Sequence, residues 1–336
     1  MAVTKKALSK HSKAKKLHYR DEDIRWATHE LAAAYRAERL KCKTIVDIGC
    51  GIGFQSFAFA KICKKVYAIE IDEEKIKLAK KNAQILGWKN IEFITGDALS
   101  EKVISQLEKV DIVFCDPERS PEERKRNVAT IKPSIPELLK KYGALTGNIA
   151  IEFPPQITEI PFDCEREYLS IDGALNRLTL YFGDLKKCER SAVVLPAGRK
   201  LCSSEQATLA ETEVLGEYLY EADPAVVKAG LLAELSEETK TGLYGQGKYA
   251  FFTGDQEVKR PFFKNTFKVV EMCAQEEHEI IAALQKHNAG KVILRIPVDP
   301  AEYWKIRKKM EAKLTGDKAY ALLYLGNQAV IVEKCE

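Results

Sequence analysis

The chain has 336 residues, of which 46% are hydrophobic and 30% are charged, and its formal net charge at pH 7 is +4. This is the composition of an ordinary globular protein, and no apolar run approaches the ~20 residues that a membrane helix needs. The lysine-rich start of the chain lacks the apolar core of a secretory signal. We therefore expect a cytoplasmic protein without a membrane partner.

Nine cysteines are scattered along the chain without a Cys-x-x-Cys pair, and the chain has five histidines. A zinc site needs such ligands at close spacing, so we predict that the protein holds no metal. Buried, reduced thiols are the ordinary state of cysteines in a cytosolic protein.

The positive charge is concentrated at the start of the chain. Residues 1–20 carry seven basic side chains and no acidic one, so the remaining residues have a net charge of −3. We predict a basic, flexible arm over residues 1–20. Such an arm is either a solvated tail or an extension that contacts phosphates.

An α/β pattern follows the arm. Residues 21–40 have helical spacing, and apolar runs separated by helical segments come next. Continuous apolar runs are typical of parallel strands that are covered on both faces. We predict a doubly wound, mostly parallel seven-stranded sheet over residues 21–185, which ends in an antiparallel pair. The predicted strands are 43–49, 65–71, 91–97, 110–116, 148–154, 166–171 and 175–183.

The pattern changes after residue 190. Short strands and helices at 223–235, 278–290 and 299–314 precede a hairpin around Gly326. We predict a second, smaller α+β domain over residues 190–336.

Three glycines, Gly49, Gly51 and Gly53, follow the first strand at alternate positions. A dinucleotide fingerprint has its third glycine one place later, where this chain has Phe54. The loop also begins with Asp47, and an acid is a poor neighbour for a pyrophosphate. A carboxylate suits a ligand that carries an ammonium and a sulfonium, so the loop predicts S-adenosyl-L-methionine as the cofactor.

Two further acids follow at the ends of predicted strands. Glu70 ends the second strand, where a carboxylate accepts hydrogen bonds from ribose hydroxyls. Asp97 ends the third strand, where it can accept from the adenine amino group while the Ala98 amide meets the ring. The carboxyl ends of adjacent parallel strands meet in one crevice, which favours a single cofactor site.

Residues 43–183 resemble class I S-adenosylmethionine-dependent methyltransferases, and within them the trimethylguanosine-synthase-like RNA methyltransferases. The segment "IRWATHELAAAY" resembles the N-terminal helix of that family, although His29 replaces a proline. The segments at 220–231 and 248–271 resemble the THUMP-like domain that is fused to some of these enzymes. The resemblance implies an RNA methyltransferase acting on tRNA or rRNA, with Thr28 beside the cofactor or base. Trp26 either lines the same pocket or packs into the core. We expect a monomer.

The fourth strand ends in "CDPERS", residues 115–120. Enzymes that methylate exocyclic amines carry Asp/Asn-Pro-Pro-aromatic at this place, and the resemblance therefore assigns catalysis to Asp116 and Pro117. A carboxylate and a backbone carbonyl accept the two N–H groups of the amine and turn its lone pair toward the methyl group. Arg119 departs from the family pattern. Its guanidinium either stacks on a base, holds a phosphate or forms a structural salt bridge.

Other functions compete with this hypothesis. Carbon-5 methylation of uridine needs a nucleophilic cysteine, but "IEFPPQ" at 151–156 has none, Cys115 lies in an apolar strand and Cys164 comes too late. The basic and aromatic run at 260–268 is typical of either single-strand RNA binding or a core. A small-molecule or protein methyltransferase, and a non-catalytic cofactor-binding protein that associates with RNA, are the alternatives.

Overall fold

The computed structural model describes residues 5–117, 130–246 and 249–335. The chain divides into two compact units, Met1–Ser203 and Ser204–Glu336. The division lies beyond the predicted boundary at 190, because the segment that follows residue 189 forms two strands of the first sheet.

The first unit contains a nine-stranded sheet in the order β3-β2-β1-β4-β5-β7-β6-β8-β9. Strands β1 to β5 run parallel, and β7 is antiparallel to both of its neighbours. The predicted α/β fold is confirmed, and β8 and β9 extend the predicted seven strands. The strands are β1 (Thr44–Ile48), β2 (Lys65–Glu70), β3 (Ile91–Thr95), β4 (Ile112–Cys115), β5 (Ile149–Phe153), β6 (Glu165–Ile171), β7 (Ala174–Tyr181), β8 (Arg190–Leu195) and β9 (Arg199–Cys202).

Helices of ordinary capping chemistry connect these strands. The longest of them, over residues 73–86, begins where the Asp72 side chain accepts from two backbone amides and ends at Gly87, whose φ is 79°. The helices are α1 (Lys5–Lys10), α2 (Asp21–Trp26), α3 (Glu30–Arg39), α4 (Phe54–Ile62), α5 (Glu73–Leu86), α6 (Glu101–Ile104) and α7 (Ile135–Gly143), with 3₁₀ turns at Ala14–Lys16 and Gly183–Leu185.

The single helix predicted at 21–40 is divided into α2 and α3. The backbone of Ala27 is extended, with ψ at 139°, and the His29 side chain accepts from the Leu31 amide to start α3. This break places Thr28 between the two helices, where it is buried.

The start of the chain differs from the flexible arm that we predicted. Ala7, Ala14 and Leu17 are buried against a cluster that includes Ile24 and Phe54. The His18 backbone also exchanges two hydrogen bonds with the buried side chain of Asn82. The chain from Ala7 onward therefore packs within the first unit, because Ala7, Ala14 and Leu17 are buried between the lysines.

The second unit has a seven-stranded mixed sheet in the order β11-β12-β10-β13-β16-β15-β14. The helix predicted at 223–235 is two helices separated by Gly230, whose φ is 67°. The strands are β10 (Tyr218–Ala222), β11 (Gly242–Gln246), β12 (Ala250–Gly254), β13 (Phe263–Ala274), β14 (Ala289–Arg295), β15 (Lys318–Leu325) and β16 (Gln328–Lys334), and the helices are α8 (Pro224–Ala229), α9 (Leu232–Thr239), α10 (Glu277–Lys286) and α11 (Tyr303–Glu311).

The aromatic residues of the run at 260–268 belong to the core of the second unit. Phe262, Phe263 and Phe267 are all buried. The structure therefore decides between the two alternatives that the sequence left open for this run, and these rings are not a surface for RNA bases.

A buried ion cluster connects α3 to strands β6 and β9 of the first sheet. The carboxylates of Glu165 and Glu167 are both contacted by Arg39 and by Lys200. Ser191 also donates to Glu165 at 2.6 Å. Burial alone raises the pKa of Glu165, but Arg39, Lys200 and Ser191 outweigh it and lower the pKa to about 2.

We expect Glu165→Gln to lower the free energy of unfolding at pH 7 by about 2–3 kcal/mol, because the charged hydrogen bonds of Glu165 are lost and Arg39 and Lys200 keep Glu167 as their acidic partner. The folded-state pKa lies below the ordinary value of 4.5, so this contribution is present above pH 4.5 and is lost as the pH falls toward 2. Urea unfolding at several pH values measures it.

The pair of the half-buried Lys186 and the exposed Glu189 is the matched control. Glu189→Gln should change stability little, since exposed ion pairs are screened by solvent. Equal losses for the two variants would contradict a special role for the buried cluster.

Candidate active site

A cavity of about 570 Å³ opens at the carboxyl ends of β1, β2 and β4 in the first unit. Its walls come from the break between α2 and α3, the glycine loop after β1, and the ends of the three strands. The predicted site residues that line it are Thr28, Asp47, Gly49, Gly51, Glu70, Asp116 and Pro117.

The glycine loop needs its glycines for different reasons. Gly49 has a φ of 76°, and a Cβ atom there would lie 2.6 Å from the carbonyl oxygen of Asp116. Gly51 has a φ of 55°, and within the described residues no atom lies within 4 Å of a Cβ built there. Gly49 therefore allows close packing of two strand ends, while Gly51 leaves open space beside its backbone.

Asp47 is the most deeply buried acid of the cavity, with 1% of its surface exposed. Ser56 Oγ donates to its Oδ2 at 2.5 Å, whereas its Oδ1 has no hydrogen-bond partner among the described residues. Burial raises the pKa of Asp47 to about 7, and the nearby Asp116 and Glu70 add to this effect, while Ser56 and Arg36 oppose it. The site therefore holds a buried carboxylate with an unused acceptor.

Glu70 is fixed at the end of β2 by backbone amides. Its Oε2 accepts from Gly51 N at 3.0 Å, and its Oε1 accepts from Ile71 N at 2.9 Å and from Asp72 N at 3.1 Å. Oε2 keeps a free lone pair, so the carboxylate can accept further hydrogen bonds from a ligand in the cavity.

Asp116 and Pro117 follow β4 directly. The Asp116 amide donates to the carbonyl of Ile48 at 3.0 Å, which holds this turn against the end of β1. The preceding Cys115 is fully buried, and burial raises the pKa of its thiol, with Asp116 and Asp47 adding to the rise. Burial likewise raises the pKa of Cys164 to about 11. Neither thiol is prepared as a nucleophile.

A pair of arginines next to these acids was missed by the sequence analysis. Glu152 in β5 accepts from Arg36 Nη2, and its Oε1 lies 2.9 Å from Arg177 Nε. Burial lowers the pKa of Arg177, but Glu152 and Asp116 raise it by more, so the guanidinium stays charged. Arg177 lines the cavity. The available signal was a lone basic residue within the apolar strand "LNRLTLYF".

Three of the predicted cofactor residues do not line this cavity. A Cβ at Gly53 would lie 2.5 Å from the Phe57 ring, so this glycine serves packing behind the loop. Asp97 is exposed and accepts from Leu99 N at 2.9 Å, and the Ala98 carbonyl accepts from Tyr142 at 2.8 Å. The predicted Arg119 lies outside the described residues.

The described residues contain no group of three His, Cys, Asp or Glu side chains arranged to hold a metal ion. Within the same parts of the chain, no helix combines the length and the apolar content needed to cross a bilayer.

Part of the first unit is similar to known methyltransferases. Residues 40–169 match the family model described as a methyltransferase domain. An uncharacterised S-adenosylmethionine-dependent methyltransferase of Mycobacterium tuberculosis is 24% identical over 294 residues, which cover 84% of this chain and 78% of the relative.

Two other comparisons concern parts of the chain and its fold. An uncharacterised RNA methyltransferase of Caldanaerobacter subterraneus is 45% identical over 78 residues, which are 23% of this chain and 17% of the relative. A crystal structure of a candidate methyltransferase from Porphyromonas gingivalis has a TM-score of 0.76 and 16% identity, covering 94% of this chain and 83% of that chain. The last comparison shows a shared fold.

We expect Gly49→Ala to destabilise the protein more than Gly51→Ala. Both variants place a side chain in a left-handed conformation, which costs about 1–2 kcal/mol. Only Gly49→Ala also forces a Cβ against the Asp116 carbonyl. Urea unfolding measures the difference, and equal losses would contradict the close approach of the two strand ends.

Proposed function

We propose that this chain, which carries a class I S-adenosylmethionine-dependent methyltransferase domain, transfers a methyl group to an exocyclic base nitrogen of RNA. One observation carries the proposal. A single cavity brings the buried acids Asp47 and Glu70 together with Asp116 and Pro117, so cofactor residues and an acceptor for an amine lie in one space.

The residues of the cavity fit S-adenosylmethionine, which supplies an electrophilic methyl carbon on a sulfonium. The unused Oδ1 of Asp47 is an acceptor for the ammonium group of the ligand. Glu70, fixed by three amides, is oriented to accept from the ribose hydroxyls. The open space beside Gly51 lets the ligand approach the backbone. Asp97 and Ala98 stay predicted contacts of adenine.

Asp116 and Pro117 would act by orienting the amine that receives the methyl group. The Asp116 carboxylate and the Pro117 carbonyl accept the N–H groups of an exocyclic amine, which frees its lone pair from the ring. After methyl transfer the nitrogen is acidic, and Asp116 or water takes the proton. No strong general base is needed, so the rate depends mainly on positioning. Arg119 stays a predicted contact of the base or its phosphate.

Two further observations favour RNA. Several relatives are named RNA methyltransferases, and the one from Caldanaerobacter subterraneus matches 78 residues of this chain, which are 17% of that relative's length. At the edge of the cavity, Trp26 is 51% exposed and its ring lies 5.3 Å from the Arg25 guanidinium. Exposed aromatic rings next to arginine are a common surface for unstacked RNA bases. The resemblance to trimethylguanosine synthases favours the guanine 2-amino group over adenine.

We expect Asp116→Ala to lower methyl transfer to RNA at least about 100-fold, because loss of orientation alone costs that much. Transfer of labelled methyl groups from the cofactor to tRNA and rRNA, followed by nucleoside mass spectrometry, measures the rate and the product. Binding of S-adenosylhomocysteine should change by no more than a few-fold.

Asp163→Ala is the matched control, since this acid is exposed and pairs with Lys186. It should leave the rate unchanged. A 5-methylpyrimidine product that is lost in Cys115→Ala or Cys164→Ala would overturn the proposed mechanism. Label that enters protein but no RNA would overturn the proposed substrate class.

A further inference from the structure

An exposed aromatic side chain stands among lysines on α11 in the second unit. Trp304, Lys305, Lys308 and Lys309 are exposed, and their spacing places them on one face of the helix. We call these four residues the α11 patch. The Trp304 residue is 62% exposed.

Trp304 is held in place although it is not buried. The Arg307 guanidinium lies 5.3 Å from the centroid of its ring. The Tyr303 ring meets it at 5.3 Å and an interplanar angle of 85°. The core contacts of the helix come from other side chains, including the buried Met310. The ring is therefore exposed to solvent and already fixed in orientation. A base that stacks on it loses little additional side-chain entropy.

Basic residues outnumber acidic ones along α11. Between Glu302 and Lys313 the sequence has five basic and two acidic residues. Glu311 accepts from Arg307 Nε at 2.9 Å and from Val292 N at 3.0 Å, which directs it toward β14.

The lysines of α11 and its C-terminal end outnumber the acids that form ion pairs with them. Lys309 and Lys313 share one acid, Glu277 of α10, at 2.8 and 2.5 Å. Lys308 has no acidic partner among the described residues. Lys305 pairs with Glu302 at 3.0 Å, so the excess positive charge of this face comes from Lys308, one helical turn from Trp304, and from the two lysines that share Glu277.

We propose that the α11 patch binds a single-stranded segment of the RNA substrate, with a base stacked on Trp304 and phosphates beside Lys305, Lys308 and Lys309. The inference rests on the proposed RNA methyltransferase function and adds a binding surface outside the cavity. Aromatic rings next to lysines match a strand that alternates flat bases with anionic phosphates. The α11 patch, and not the run at 260–268 with its buried rings, is therefore the proposed RNA-binding surface of the second unit.

The test uses the full chain and a fluorescently labelled 20-nucleotide RNA of mixed sequence. Trp304→Ala should weaken binding about 5- to 150-fold, which corresponds to the loss of one base stack. Trp304→Phe should restore most of the affinity. Lys308→Ala should lower the slope of log K against log salt by about 0.7, since one phosphate contact is lost.

Lys80→Ala on α5 is the matched control, because it removes an exposed lysine from a different helix. It should leave both the affinity and the salt slope unchanged. Cofactor affinity should be the same and thermal stability should change little in all variants, because Trp304, Lys308 and Lys80 are exposed.

The inference is overturned if Trp304→Ala binds the RNA as tightly as the unaltered chain while that chain still methylates RNA. It is also overturned if the unaltered chain binds polyglutamate but not RNA, with a dependence on Trp304, since the patch then serves an acidic protein. Failure of the proposed function gives a different result. Methyl transfer to RNA is then absent in the unaltered chain and in every variant of the α11 patch.

Discussion

The buried acids at one end of the first sheet are the constraint on which the site depends. Asp47, Glu70, Asp116 and Glu152 lie at or beyond the carboxyl ends of neighbouring strands, and three of them are almost fully buried. Burial of like charges is unfavourable unless cations or donors compensate them. Arg36 and Arg177 compensate Glu152, and backbone amides hold Glu70. Asp47 keeps an uncompensated oxygen, which a cationic ligand can satisfy.

The surrounding elements serve this arrangement. Helix α3 supplies Arg36 to the acids and Arg39 to the cluster around Glu165 and Glu167, so one helix is anchored to the sheet at two buried positions. The break before α3 turns Thr28 into the cavity. The close approach of Gly49 to the Asp116 carbonyl joins the glycine loop after β1 to the turn after β4. The residues proposed to bind the cofactor and those proposed to orient the amine thus lie at one edge of the sheet.

Local patterns in the sequence predicted part of this site. Residues at strand ends, such as Asp47, Glu70 and Asp116, were found because parallel strands bring their carboxyl ends together. Arg36 and Arg177 were missed because they reach Glu152 from elements that are 116 and 25 residues distant in sequence. The helix at 223–235 was predicted as one because a single glycine within a helical pattern does not by itself reveal the left-handed conformation that Gly230 adopts. The buried rings at 260–268 show that alternation of basic and aromatic residues does not reveal which side chains face solvent.

Calorimetry of S-adenosylhomocysteine binding in two buffers of different ionisation enthalpy tests the central claim most directly. Burial raises the pKa of Asp47 to about 7 in the free protein, and the proposed site needs Asp47 as a carboxylate to bind the ammonium group, so Asp47 should lose its proton on binding at low pH. The account predicts release of close to one proton at pH 6, almost none at pH 8.5, and none at either pH in Asp47→Asn. Equal proton release at the two pH values, or release that persists in Asp47→Asn, would contradict it.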